Sequence, residues 1–239
     1  GHKPELFEKG DRLGGNLIPG GAPDFKEDDH ALAAWYGREL ERLSVPVTLN
    51  HKVTAAEVLA GDYDAVIVAT GSTPKVFSLG DDAKVHTAAD VLNGKVTCGD
   101  RVTIVGGGLV GCETALWLAK QGKQVTIVEA LDKLLAVNGP LCHANSEMLE
   151  ALIPYNNIQV VTSAKVQHFE NGVLTAQTPE GECKLEADDV ILCVGYKEED
   201  SLYKELEFSV PELYCLGDAR KVANIMYAIW DAFEVANHL

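Results

Sequence analysis

RVTIVGGGLVGCETALWLAKQGKQVTIVE, residues 101–129, decides how this chain is read. An apolar run, RVTIV, leads into glycines at 106, 108 and 111, and a helical pattern follows. A second apolar run, QVTIV, then ends in an acid, Glu129, 18 residues past the third glycine. Glycine clusters occur in many turns; this one carries information because a strand precedes it, a helix follows it and an acid closes the next strand. In that setting each position has a physical task. Gly106 allows the tight turn, Gly108 leaves room for a pyrophosphate against the backbone, Gly111 lets the helix approach the sheet, and Glu129 accepts hydrogen bonds from a ribose. The stretch reads as a complete dinucleotide-binding unit.

The same unit recurs, incomplete, nearer the N-terminus. ELFEK ends in Glu8, and setting Glu8 against Glu129 places Gly1 opposite Gly122, the glycine that ends the helix of the complete copy. DYDAVIVATG reaches Gly71 63 residues after Glu8, and EADDVILCVG reaches Gly195 66 residues after Glu129. Two landmarks at matching intervals argue for an internal duplication of nucleotide-binding domains. On this alignment the first copy is expected to lack its first strand, phosphate loop and helix. The tail ELYCLGDARKVANIMYAIWDAFEVANHL reads as a strand, a Gly217–Asp218 turn and a helix over 225–237. It follows a second unit already closed at Gly195, so it is assigned back to the first. The expected fold is α/β, with two Rossmann-like, doubly wound, three-layer domains. Residues 1–78 plus 202–239 form the discontinuous first domain, and 79–201 the inserted second.

Between these landmarks, LGGN and IPGGAP make a glycine-rich loop around Gly14 and Gly15. KEDDHALAAWYGRELERLS reads as a helix with Ala31, Leu32, Trp35, Leu40 and Leu43 on one stripe and acids in its first turn. VPVTLN and DYDAVIVATG read as strands, in βαβ order with helices on both faces. TAADVLNG carries a capping pattern, Thr87 followed three residues on by Asp90. After Glu129 comes a helix near NSEMLEALI. IQVVTSAKV, HFENGVLTAQT and GECKLEADDVILCVG follow as strands, joined by Asn-Gly and Pro-Glu-Gly turns.

Composition narrows the function classes. A net charge of −16, from 20 basic and 36 acidic residues, repels a phosphate backbone and argues against nucleic acid. It does not argue against dinucleotides, which are held by backbone N–H groups at helix N-termini. The apolar strings fall well short of the roughly 20 residues of a membrane span, and no signal-peptide pattern opens the chain. A cytoplasmic protein without membrane contact is expected. The cysteines at 98, 112, 142, 183, 193 and 215 form no Cys-x-x-Cys pair, so neither a redox dithiol nor a metal site is expected. Cys112, in the first turn of the helix after Gly111, is a place where a thiol pKa can fall, although packing is the simpler role. Glu8 occupies the ribose-reading position of the first unit. Asp218, after a strand and before a helix, suits either a sugar alcohol or a plain N-cap.

These residues resemble a family. The order LGGN, DYDAVIVATGSTP, VGGGLVGCE, LYCLGDA is similar to the flavoprotein reductases built on two dinucleotide folds. LGGNLIPGGAPDF, TAADVLNGKV, GGGLVGCETALWLAKQGKQVTIVE and NIMYAIWDAF resemble, more closely, the C-terminal region of NADH:flavin oxidoreductases of the 2-enoate and 2,4-dienoyl-CoA reductase type. The resemblance runs over essentially the whole chain. It implies FAD contacts at Glu8, Gly14, Gly15, Thr70, Gly71, Gly217 and Asp218, and nicotinamide-cofactor contacts at Gly106, Gly108, Gly111, Glu129 and Gly195. It implies NAD(P)H as donor, and Glu129, a carboxylate where the adenosine ribose 2′-hydroxyl would sit, predicts NADH in preference to NADPH. It also implies an N-terminal barrel with FMN, a 4Fe-4S cluster and the enoate site, outside this sequence. With its phosphate loop missing, the first unit is expected to hold FAD weakly or not at all and to self-associate through an exposed sheet edge. No catalytic residue is nominated, because the cofactors carry the chemistry. A second reading comes from amine dehydrogenases of similar architecture, in which the FAD site holds ADP as a structural module.

Overall fold

The computed structural model describes residues 1–136 and 142–239. In chain order the elements are β1 (Leu6–Phe7), α1 (Leu17–Gly20), α2 (Glu27–Arg42), β2 (Val47–Thr48), α3 (Ala55–Ala60), β3 (Val66–Val68) and β4 (Ser72–Pro74). Next come β5 (Val85–Thr87), α4 (Ala88–Leu92), β6 (Arg101–Val105), α5 (Leu109–Lys120), β7 (Gln124–Val128), α6 (His143–Tyr155) and β8 (Gln159–Val161). β9 (Lys165–Glu170), β10 (Val173–Thr178), β11 (Gly181–Glu186), β12 (Asp189–Leu192), β13 (Tyr196–Glu198), α7 (Ser201–Leu206), β14 (Leu213–Cys215) and α8 (Ile225–His238) complete it. Contacts divide the chain into two compact units: Gly1–Ile18, Glu27–Thr73 and Tyr196–Leu239 form one; Pro19–Lys26 and Pro74–Gly195 form the other. The units change at 73/74 and 195/196, not at the expected 78/79 and 201/202.

The second unit is built on a parallel sheet in the order β5-β12-β6-β7-β8. Alternation along each strand sends side chains to opposite faces. Val102, Ile104, Val125, Ile127 and Ile191 meet Cys112, Ala115, Leu116 and Leu118 of α5 and Leu149 and Ile153 of α6. Val105, Val128, Val190 and Leu192 meet Phe169, Leu174 and Ala176 on the other face. That face is covered by an antiparallel sheet, β11-β10-β9, so the third layer of this unit is strands and not helices. IQVVTSAKV is two strands, β8 and β9, broken by Ser163 in the left-handed region (φ 52). GECKLEADDVILCVG likewise divides into β11 and β12, which lie in different sheets. The Asn-Gly turn forms as read, with Asn171 and Gly172 both at positive φ. Thr87 caps α4, accepting the Asp90 N–H.

Residues 19–26, read from the sequence as part of the first domain, pack with the second unit. Phe25 packs against the α5 core, Lys26 pairs with Glu113 at 3.1 Å, and Lys120 bonds Asp24 at 2.6 and 2.9 Å.

In the first unit β1 pairs in parallel with β2, and β3 with β14, which brings the tail back beside DYDAVIVATG. Among the described residues each of β1 and β3 has a partner on one side only. The core is small: Val58, Val68 and Leu206 are buried, with Val53, Val66, Tyr203 and Leu213 packed around them. The expected apolar stripe of α2 is not a core face. Trp35 and Leu43 are 48% and 59% exposed, and Ala33 is the helix's buried residue. Two-residue strands offer too little apolar surface to cover a helix of 16 residues. α8 has no buried residue, and Ile229, Trp230 and Phe233 are exposed along it.

Candidate functional site

Gly106, Gly108, Gly111, Glu129 and Gly195 gather where β6, β7 and β12 end, at the carboxyl edge of the parallel sheet. Gly106 follows β6 at φ +107, and its N–H donates to Val128 O at 2.9 Å. A Cβ on Gly106 would lie 2.4 Å from Cys193 O, and one on Gly111 1.9 Å from Gly106 O. Both glycines are therefore needed for the strand, the loop and the helix to approach this closely. Gly108 is the N-cap of α5 and supplies no side-chain cap, so among the described residues the N–H groups of the first turn remain available as donors. Together with the helix dipole they favour an anion. Gly195, at φ +93, follows β12 beside this loop, and Cys193 N donates to Val105 O at 2.7 Å.

Glu129 is held at both oxygens: Oε2 accepts the Gly107 N–H at 2.5 Å and Oε1 the Leu131 N–H at 2.8 Å. A carboxylate has about four acceptor positions, so a pair remains for hydroxyl donors. The geometry therefore fits a dinucleotide: amides at a helix N-terminus for the pyrophosphate and a fixed acid for the ribose.

Cys112 and Cys193 are not reactive thiols here. Cys112 is fully buried, and burial, with smaller contributions from the charges of Glu113 and Glu129, pushes its pKa up to about 12. Being at a helix N-terminus does not lower it, because desolvation penalises the thiolate more. Cys193 is likewise pushed up to about 12 by burial. All six cysteines are free, and among the described residues no group of three His, Cys, Asp or Glu is placed to hold a metal ion. Among the described residues no helix is long and apolar enough to cross a membrane.

In the first unit, Glu8 Oε1 accepts the Gly10 N–H at 2.6 Å, repeating at the end of β1 the capture of a nearby loop amide seen at Glu129. Gly14, at φ +115, packs so closely that a Cβ would lie 2.8 Å from Ile18 Cδ1; Gly15 follows at φ +49. Gly71 and Gly217 stand at φ +74 and +54, just past the parallel pair β3 and β14. Thr70 donates its hydroxyl to Glu199 O. Asp218 accepts from Ser72 Oγ at 2.7 Å and from the Ala223 N–H at 3.0 Å. It is not the cap of α8: that helix is capped by Asn224, whose side chain accepts the Tyr227 N–H. Asn16 donates to Ser72 Oγ at 3.5 Å, so the Gly14–Gly15 loop, Ser72 and Asp218 form one cluster. The structure brings all seven of these residues to strand ends or the loops that follow them.

Sequence reasoning missed several supporting side chains. Asp231 on α8 accepts the Gly217 N–H at 3.0 Å and is gripped by Arg220. Asn16 and Ser72 lie inside the LGGN and DYDAVIVATGSTP stretches but are given no role there. Glu113 had a signal, an acid inside the apolar helix LVGCETALWLAK, and it is buried against Lys26.

The sequence pattern of the family described as pyridine nucleotide-disulphide oxidoreductase matches residues 42–232. A cinnamate reductase of Clostridium sporogenes is 46% identical over 239 residues, spanning 100% of this chain and 36% of that protein. A solved 2-naphthoyl-CoA reductase, in its 2-naphthoyl-CoA complex, superposes with a TM-score of 0.89 at 27% identity, over 98% of this chain and 36% of that one. Histamine dehydrogenase from Rhizobium sp. 4-9 gives a TM-score of 0.85 at 16% identity over 100% of this chain and 38% of that one, a likeness of fold. The chain thus spans little more than a third of these relatives. The resemblance to enoate-type flavin oxidoreductases holds, and the match supports binding of FAD and NAD(H). On the matched region and the geometry of its glycine loop, the chain belongs to the pyridine nucleotide-disulphide oxidoreductase family.

Proposed function

We propose that this chain is the dinucleotide-handling part of an NADH-dependent flavin oxidoreductase. In this reading the second unit takes the nicotinamide cofactor on Gly106, Gly108, Gly111, Glu129 and Gly195. The first unit takes FAD on Glu8, Gly14, Gly15, Thr70, Gly71, Gly217 and Asp218. When bound, the nicotinamide supplies a hydride and the flavin accepts it. The chain's own task is to bind and align the two, for which no acid–base residue is required. The amides of α5 hold the pyrophosphate, and Glu129 orients the adenosine ribose. Asp218, fixed by Ser72 and the Ala223 amide, is placed to accept from a sugar alcohol.

The observation that carries this reading is Glu129, a carboxylate pinned beside the glycine loop by two backbone amides. Such an acid accepts from a ribose 2′-hydroxyl and repels a 2′-phosphate, so NADH is preferred to NADPH. A charge-assisted hydrogen bond of about 1.5–3 kcal/mol corresponds to roughly 10- to 150-fold in affinity. Calorimetry of both cofactors, on the unmodified chain and on Glu129→Ala, is the test. The variant should bind NADH less tightly and narrow the gap; equal or tighter NADPH binding by the unmodified chain would overturn the preference.

The onward electron path to FMN, a 4Fe-4S cluster and an enoate in a barrel beyond this sequence is part of the same proposal, supported by the cinnamate reductase likeness. A cytoplasmic setting goes with it. Among the described residues β1 and β3 each pair on one side only, so the chain by itself is expected to self-associate through those open sides. The histamine dehydrogenase likeness favours a second reading, in which the first unit holds ADP without redox turnover. The cofactors released from the full-length polypeptide separate the two: FAD recovered beside any other flavin supports the redox reading, and ADP in its place the structural module.

A further inference from the structure

We infer that Leu135 is a positioning residue for the glycine loop, acting through its main-chain N–H. The inference rests on the reading of the second unit as a nicotinamide-dinucleotide site. Gly107, the middle residue of the Gly106–Gly108 run, is gripped on every side. Its N–H donates to Glu129 Oε2 at 2.5 Å, and its carbonyl accepts the Leu135 N–H at 2.8 Å and faces Cys112 Sγ at 3.4 Å. The space over its α-carbon is filled as well: a Cβ there would lie 2.3 Å from Leu134 Cδ2.

Leu135 adopts φ +57, the left-handed region, where a residue with a β-carbon meets steric resistance. That conformation persists because the surrounding contacts over-determine it. Its consequence lies in one peptide plane. The carbonyl of Gly107 and the N–H of Gly108 belong to the same trans peptide and point in opposite directions. Drawing the carbonyl toward Leu135 therefore turns the Gly108 N–H away from it, among the first-turn amides of α5, which are open among the described residues. Residues 129–135 thus form a strap with two tasks. At its start Glu129, fixed by the Leu131 N–H, is the acid beside the loop; at its end Leu135 sets the peptide that donates to the pyrophosphate. Leu135 itself need not touch the cofactor.

The test compares Leu135→Pro, which removes the N–H and cannot adopt a positive φ, with Leu135→Gly, which keeps the N–H and relieves the steric resistance. Binding of NADH and ADP-ribose is measured by calorimetry, and binding of adenosine, which lacks the pyrophosphate, by NMR titration. Leu135→Pro should weaken NADH and ADP-ribose at least tenfold and leave adenosine within about threefold. Leu135→Gly should stay within about threefold of the unmodified chain for all three ligands. Equal loss of adenosine by the proline variant, or equal weakening of NADH by both variants, would overturn the inference while leaving the nicotinamide site standing. Failure of the unmodified chain to bind NADH or ADP-ribose would overturn the site reading and the inference together. Amide exchange on the unmodified chain keeps the inference testable if the proline variant does not fold. Without cofactor the Gly107 and Leu135 amides should be protected and the Gly108 amide open, and NADH should protect Gly108. Free exchange at Leu135 would overturn it.

Discussion

Replacing Gly111 with alanine adds one methyl group, at the third residue of α5. By helix propensity alone the change stabilises, since alanine is favoured over glycine in a helix by about 0.8–1 kcal/mol. The structure predicts the opposite sign. The new Cβ would stand 1.9 Å from Gly106 O, 3.1 Å from Gly106 C and 3.3 Å from Cys193 Cβ. These neighbours are backbone and buried side chain, so neither α5 nor the loop escapes by a rotamer change. The helix must retreat by about 1 Å to reach an allowed contact, and it carries Cys112, Ala115, Leu116 and Leu118 out of a close-packed core. Overpacking of this kind costs about 1–3 kcal/mol, and more where the backbone resists, which outweighs the propensity gain. Gly37, within α2, is the control: nothing lies within 4 Å of its added Cβ, so Gly37→Ala should stabilise by about 0.5–1 kcal/mol. Urea unfolding followed at Trp117, in a background with Trp35 and Trp230 changed to Phe, reports on the second unit. Gly111→Ala should unfold at lower urea and bind NADH at least tenfold more weakly, because the α5 amides move with the helix. An unchanged midpoint with unchanged NADH affinity would refute the close approach of helix and loop on which the site depends.

Further outcomes follow from the same structure. Cys112 and Cys193 ionise near 9 when unfolded and at about 12 when folded, so the folded state keeps their protons longer. Stability from these groups is complete below pH 9 and is lost between pH 9 and 12; Cys112→Ala should flatten that decline in chemical-denaturation curves. In native protein, a thiol reagent near pH 8 should modify exposed Cys142 well before buried Cys112, and mass spectrometry of the digested product identifies the site. Lys26→Met leaves the buried Glu113 carboxylate without its 3.1 Å ion pair and should cost the second unit about 1–3 kcal/mol, read at the same Trp117 signal. Thr54→Ala removes one half of a capping box with Glu57 and should cost about 1 kcal/mol, read as earlier loss of the first unit's helical signal.

The capping box at Thr54 and Glu57 shows what stays legible at short range even when overlooked: Thr-Ala-Ala-Glu ahead of a short apolar run has the capping spacing, and α3 forms there. Thr87 and the Asn171–Gly172 turn belong with it. In each, the partners lie within a few residues, so local sterics and hydrogen bonding decide the outcome before any tertiary contact forms. The acid at Glu129 was legible for the same reason, as the end of a strand at a fixed distance from its loop.

Tertiary structure alone decided the rest. An apolar stripe on α2 says that a helix has an apolar side; it does not say that anything lies there to cover it, and Trp35 and Leu43 remain exposed. Phe25 and Lys26 sit in sequence beside α2 but pack with the second unit, because their partners, the α5 core and Glu113, are about ninety positions away. Asp218 is fixed by Ser72, 146 positions earlier, and Gly217 by Asp231, across a turn and a helix. Spacing and periodicity therefore determined which backbone segments form and where the glycine loop and the acid that closes the next strand fall along them. Which carboxylate is captured by which amide, which helix face is buried, and to which unit a short segment belongs all depend on loop closure over long distances. The physical reason is that the energy of such contacts exists only once the fold has brought the partners together, and no local pattern records it.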